Sequence, residues 1–171
     1  MNDKQSAQIT ALEDIFEAGR SLGKRSFAWG GFGVDLLAGR ITRAHGDIDM
    51  FTEDLSDIFE PFAQALSSMG YAVRAIREIG MLVAANDRTS ATFNEVKNLD
   101  GVACWRHIGQ HGAVHFPWAW LDRPPRTLLG ARAYPADARL LYAVKTHPEL
   151  LGPAWKGRDK DKADIEILRA L

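Results

Sequence analysis

A single cysteine, Cys104, stands in 171 residues. One thiol closes no disulfide framework and builds no cysteine-based zinc cage. Long hydrophobic runs are missing too: no segment reaches the roughly 18 successive apolar residues that a membrane-spanning helix needs. The N-terminal MNDKQSAQITALEDIFEAG has neither the basic start nor the apolar run of a signal peptide. A cytoplasmic location with no membrane partner is the expectation. Charge of one sign is also lacking, with 21 Lys and Arg against 22 Asp and Glu and a formal net charge of -1. Nothing in that balance points to bulk electrostatic attraction for nucleic acid, which leaves room for a local basic cluster. There is no internal repeat, linker or low-complexity tract. What remains is an ordinary folding mixture, 46% hydrophobic and 25% charged, long enough for one domain with a real core.

Apolar positions Ile9, Leu12, Ile15, Phe16 and Leu22 recur at helical spacing and predict a helix over residues 5–22. SFAWG reads as a short strand stopping at Gly30-Gly31. GVDLLAG reads as a short helix with Gly39 as its stop. DIDMFT is a strand, and residues 55–69 a helix with Asp54 or Ser56 as cap. YAVRAIRE, MLVAAND and SATFNEVK have strand character, with a hairpin at Asn86-Asp87 between the last two. GVACWRHI and GAVHFPW read as further strands. RPPRTLLGARAYP reads as a loop or short elements, because its prolines break any long periodicity. Residues 136–146 and 160–171 read as helices. The expected fold class is α+β, a single domain over residues 1–171, with a mixed or antiparallel sheet flanked by helices. Its core covers about residues 1–120 and its helical C-terminal part about 135–171.

Between residues 29 and 52 three kinds of residue crowd together: Gly30, Gly31 and Gly33, then cations, then Asp47-Ile48-Asp49. The dinucleotide fingerprint is absent, since Leu36 stands where its third glycine belongs, and so is the P-loop pattern. A strand ending in Gly-Gly before a helix bares backbone N–H groups that suit phosphate oxygens. Asp47 and Asp49, two apart, point to one strand face. Two carboxylates so placed call for a cation between them, a shared proton or free access to water. Magnesium takes oxygen ligands and bridges to substrate phosphates.

The pattern Gly30-Gly31-x3-Asp35-x3-Gly39-Arg40-x-Thr42-Arg43-x-His45-x-Asp47-Ile48-Asp49 resembles the signature of small nucleotidyltransferases of the DNA polymerase β superfamily. The resemblance is nearest to the aminoglycoside and lincosamide nucleotidyltransferases. DKADIEIL near the C-terminus, with Lys145 upstream, resembles the end of that family. The resemblance is dense over residues 26–52, moderate over 140–169 and thin between. It implies a polymerase-β-like fold and magnesium-dependent transfer of a nucleoside monophosphate from an NTP, such as ATP, to a hydroxyl. It implies further that Asp47 and Asp49 hold Mg2+ and that Gly30 and Gly31 lie against the triphosphate. Arg40, Arg43 and Lys145 are candidate partners for phosphate charge, with surface ion pairs as the alternative. Asp35 is expected to orient Arg43 or its loop rather than to bind metal.

One departure from the family pattern stands out. Active relatives carry a third carboxylate on a later strand, and that position falls here on Thr92. Glu95 is the acid of this strand, on the opposite face from Thr92 and Asn94 by strict alternation. A bulge would turn Glu95 inward as general base or third metal ligand. Without one the site has two carboxylates and transfer is slow or absent.

Three other features stand outside this pattern. His107, His111 and His115 are spaced by four, but Gly109 and Gly112 argue against the helix that would make them a metal face. The aromatics of FPWAWLDRPP, with Trp105, suit a core edge better than a stacking platform. GPAWKGRDKDK is a basic cluster able to close over a nucleotide, or a solvated helix start capped by Asp159 or Asp161. The expected acceptor is a small hydroxyl-bearing, antibiotic-like molecule. The rivals are a toxin–antitoxin-type transferase acting on protein or tRNA, and a non-catalytic nucleotide-binding relic. Larger relatives carry an extra acceptor-binding domain, and a homodimer that completes the site stays open at this point.

Overall fold

The computed structural model describes residues 2–106, 112–152 and 155–171. Its elements run α1 (Asp3–Ser21), β1 (Ser26–Trp29), α2 (Gly30–Ala38), β2 (Ile48–Glu53), α3 (Phe59–Ser68), β3 (Ala72–Ile76), β4 (Met81–Ala85), β5 (Ser90–Leu99), β6 (Val102–Trp105), β7 (Val114–Pro117), β8 (Arg126–Leu128), β9 (Ala131–Pro135), α4 (Ala138–Thr146) and α5 (Asp159–Arg169). The strands form one sheet in the order β3-β4-β5-β2-β1-β9-β8, with β6 joined to the far half of β5 and β7 joined to β6. β1 is antiparallel to β2 and parallel to β9, and β2 is parallel to β5. The sheet is mixed, as the sequence led one to expect.

Period-two alternation in the central strands sorts side chains onto two apolar layers. Ala28, Ile48, Met50, Ala91 and Phe93 pack with α1, α2 and α3. Phe27, Trp29, Phe51 and Val96 face the other way, onto Trp105, Phe116, Trp118 and the apolar sides of α4 and α5. Trp105 and Trp118 are buried and Trp120 half-buried, so these aromatics close a core edge. Trp29 stacks on Phe51 at 5.1 Å between ring centroids, and Trp105 meets both rings edge-on at 5.1 and 4.8 Å.

Three local expectations are corrected, and the short elements expected in RPPRTLLGARAYP are present. α2 begins at Gly30, earlier than GVDLLAG suggested, so the glycine pair opens the helix rather than only ending the strand. Residues 55–69 split into a 3-10 turn, Leu55–Ile58, and α3. Pro61 is the reason: in a helix begun at Leu55 it would lack a needed N–H and clash with the Asp57 carbonyl, whereas in the first turn of α3 it is tolerated. Neither Asp54 nor Ser56 caps α3 with its side chain. RPPRTLLGARAYP contains the β8–β9 hairpin, whose turn residues Leu129 and Gly130 have φ of 50° and 94°. That turn type matches strand twist, and β9 runs on to pair with β1. The hairpin at Asn86-Asp87 is present, with the Asn86 side chain accepting from the Arg88 and Thr89 N–H groups at 3.0 Å.

Candidate active site

Register builds the site. Trp29, the last residue of β1, pairs with Asp49, and Asp49 pairs with Thr92 of β5. Asp49, Thr92 and Asn94 therefore share the sheet face that carries the aromatic layer. The chain turns from β1 directly into α2 through Gly30, whose φ of +61° lies in the left-handed region. A Cβ at Gly30 would stand 2.5 Å from Asp49 Oδ2, so a side chain there would displace the carboxylate. A Cβ at Gly31 would collide with the His45 ring and lie 2.8 Å from Arg43 Nη2. The two glycines thus admit neighbouring side chains as well as bare the helix N-terminus, a packing duty that the phosphate reading alone did not contain.

The residues between the glycines and the aspartates hold the loop over 39–47 in place. Asp35, fully buried, accepts from the Thr42 N–H at 3.0 Å and from its hydroxyl at 2.5 Å. His45 Nε2 lies 2.6 Å from Asp35 Oδ2, and His45 Nδ1 lies 3.0 Å from Arg43 Nη1. A guanidinium cannot accept, so Nδ1 is the acceptor and Nε2–H donates to Asp35. Gln8 of α1 donates to the His45 carbonyl at 3.2 Å. Asp35 orients the loop as expected, and reaches Arg43 only through His45.

Arg43 forms a two-pronged pair with Asp164 of α5, at 3.0 Å from Nε and 2.8 Å from Nη2. Lys145 donates to Asp164 at 2.6 Å and to Asp161 at 3.3 Å. Arg158 completes the chain on Asp161, at 3.1 Å from Nε and 3.0 Å from its backbone N–H. Burial opposes ionisation of Asp164, yet Arg43 and Lys145 together hold it below the usual carboxylate range. Asp161 is lowered likewise, by Arg158 and Lys145 against burial. This buried network ties the loop to α4 and α5, elements far apart in sequence.

A cavity of about 330 Å³ opens over these groups. Gly30, Gly31, Asp47, Asp49, Thr92 and Asn94 line it together with Lys145, Lys156, Arg158 and Lys160. Lys156 and Lys160 are exposed and have no carboxylate within 4 Å among the described residues. Burial pushes Asp49 up to about 6, Asp47 adds to the rise, and Arg158, Lys160 and Lys145 oppose it. A carboxylate so strained, beside a second one, is a fit for a hard divalent cation. Among the described residues no cluster of three acids, histidines or cysteines suits a metal. Two carboxylates completed by substrate phosphates and water is how magnesium is commonly held.

Other expected residues fall elsewhere. The parallel register from Ile48↔Ala91 to Glu53↔Val96 is unbroken, so no bulge turns Glu95 inward. Glu95 lies on the opposite face, accepting from the Ser56 N–H at 2.9 Å and from its hydroxyl, with Lys97 at 3.7 Å. That corrects the inward general base: Glu95 secures the 3-10 turn before α3. Arg40 follows the Gly39 helix stop, is exposed, and is not among the residues that line the cavity. Arg43 and Lys145 line the cavity but are committed to Asp164. Asp161, not Asp159, steadies the start of α5, by accepting from the Arg158 N–H. His107 and His111 lie outside the described residues, and His115 is exposed on β7. Sequence reasoning missed Asn94 and the apolar wall of Leu141, Val144, Pro148 and Leu151. Only the spacing of Leu141 and Val144 on one helix face hinted at it.

The profile of the aminoglycoside-2''-adenylyltransferase family matches residues 11–89, a little under half of the chain. No curated protein sequence matches. Among solved structures, the crystal structure of ANT(2'')-Ia in complex with adenylyl-2''-tobramycin is 14% identical, with 96% of this chain and 88% of that one covered at a TM-score of 0.68. The solution structure of ANT(2'')-Ia, also 14% identical, covers 96% and 84% at 0.69. The lincomycin-bound lincosamide adenylyltransferase LnuA is 19% identical, covering 99% and 98% at 0.66. The chain is similar to aminoglycoside and lincosamide nucleotidyltransferases, and its fold is the polymerase-β-like nucleotidyltransferase fold that these structures share.

Proposed function

We propose that this chain is a nucleotidyltransferase that moves a nucleoside monophosphate from an NTP, with ATP as donor, to a hydroxyl of a small antibiotic-like molecule. The observation that carries the reading is the meeting of Asp47, Asp49, the N-terminus of α2 at Gly30-Gly31, and Lys156 and Lys160 in one cavity. Asp47 and Asp49 would hold Mg2+, which when bound neutralises phosphate charge and polarises the phosphoryl group under attack. The first N–H groups of α2 face phosphate oxygens. Lys156 and Lys160, without carboxylate partners among the described residues, offset the remaining charge. Arg43 and Lys145 fix the loop and α5 around the bound triphosphate while staying paired to Asp164. Positioning supplies much of the rate in such a site. The ANT(2'')-Ia complex with adenylyl-2''-tobramycin and the lincomycin-bound LnuA support a small acceptor.

A second reading rests on Thr92. It stands beside Asp49, at the position where the resemblance calls for a third carboxylate, and it cannot ionise. On this reading the chain binds nucleotide and transfers it slowly or not at all. One experiment separates the two: incubation with each labelled NTP, Mg2+ and a panel of aminoglycosides and lincosamides, read by product mass. Transfer abolished by Asp47→Asn with Asp49→Asn supports the enzyme. Glu95→Gln should leave that transfer unchanged, since its side chain faces away. Nucleotide binding without product in the parent, converted to turnover by Thr92→Asp, establishes the second reading. General-base help is worth about a hundred- to ten-thousand-fold. A parent that neither binds nor transfers any NTP refutes both.

A further inference from the structure

Two tryptophans line the cavity, and they differ in exposure: Trp29 is 7% exposed and Trp155 is 40% exposed. Trp29 is locked in the aromatic layer under Asp49. Trp155 lies just past the turn Pro148–Leu151, with its backbone N–H donating to the Gly152 carbonyl at 3.0 Å. Five of the apolar lining residues, Leu141, Val144, Pro148, Leu151 and Trp155, come from one stretch of chain. Arg158 lies over the Trp155 ring at 5.9 Å and is itself held by Asp161. Asp161 in turn is bound by the buried Lys145. The indole is therefore steadied by the same ionic network that fixes the loop.

An exposed, braced indole beside apolar side chains, in one cavity with paired carboxylates and with Lys156 and Lys160, matches the two ends of a nucleotide. The polyanion belongs with the cations and carboxylates. The flat heteroaromatic end belongs with the apolar wall. We infer that Trp155 is the stacking platform for the nucleobase of the bound triphosphate. The inference rests on the nucleotide reading above and adds to it a base-binding residue in the cavity lining. Base–aromatic stacking is worth about ten- to hundredfold in affinity per base and tolerates any base.

The test compares Mg2+·ATP with Mg2+·tripolyphosphate, which lacks base and sugar, on the full chain. Affinities come from calorimetry, with tryptophan emission recorded beside them. In the parent, ATP should quench emission and tripolyphosphate should not. Trp155→Ala should weaken ATP about ten- to hundredfold and leave tripolyphosphate unchanged, which also shows that the variant is folded. Trp155→Phe should keep most of the ATP affinity and lose the quench. Equal weakening of both ligands in Trp155→Ala, or no weakening of ATP, overturns the platform while the nucleotide reading stands. A parent that binds neither ligand overturns the nucleotide reading, and the platform with it.

Discussion

Replacing Asp49 with asparagine should make the protein more stable, not less. Asp49 is the register partner of Trp29 and sits two residues from the buried Phe51 on the same face. Its carboxylate is poorly solvated and close to a second one, and its pKa rises from 3.8 to about 6. A raised carboxylate pKa means that the folded state binds the proton more tightly than the unfolded chain does. Stability is then highest below about pH 4 as far as this group is concerned, falls as pH rises to about 6, and is flat above. Roughly two pKa units at 1.36 kcal/mol each give a cost of about 3 kcal/mol at pH 8. Asparagine has nearly the same shape and no charge, so Asp49→Asn should recover up to that amount. For a chain of this size that is about 2–4 °C in melting temperature per kcal/mol. The assay is urea unfolding of parent and variant at pH 8 and pH 5, each with EDTA and with Mg2+. The gap should be widest at pH 8 in EDTA and should narrow at pH 5. Mg2+ should raise the parent more than the variant. A variant less stable than the parent at pH 8 in EDTA would refute the reasoning, because it would mean that the carboxylate is satisfied by its surroundings rather than held against its preference.

Two further substitutions probe the frame around the pair. Asp164→Asn leaves Arg43 and Lys145 without their shared buried carboxylate and should cost about 3–5 kcal/mol in chemical unfolding. Since Asp164 is held below its ordinary range, the stability it contributes is present near neutral pH and lost on acidification through its folded pKa, and the variant should shed that acid dependence. Gly31→Val must push against His45 and Arg43, so its melting temperature should fall together with nucleotide affinity; lost affinity with an unchanged melting temperature would show instead that the glycine serves the ligand alone.

Much of the site was legible because its parts are local. The glycines, Asp35, Thr42, Arg43, His45, Asp47 and Asp49 lie within 20 residues, and a strand–helix–loop–strand unit brings such neighbours together whatever surrounds it. Period two was enough to set Thr92 and Asn94 apart from Glu95, and the unbroken register upheld it. The idea of an inward Glu95 required a bulge, which no residue type in that strand demands. Arg43 and Lys145 read as phosphate partners or surface ion pairs, because a lone cation in sequence has no visible partner. Their partner, Asp164, is 121 residues from Arg43, and nothing local signals a pairing across that separation.

By itself, then, the sequence determined the α+β class, a mixed or antiparallel sheet, and the closeness of a Gly-Gly turn and its short helix to Asp47 and Asp49. These follow from periodicity, backbone freedom and short spacing, all properties of contiguous residues. Tertiary structure alone decided which cations are spent in the core and which face the cavity. It also decided that β9, hidden among prolines, pairs with β1, and that residues of α4, α5 and Trp155 line one cavity with Asp49. Each of these depends on where segments a hundred residues apart come to rest, and burial against a distant partner, not local pattern, sets the charge and the shape of the site.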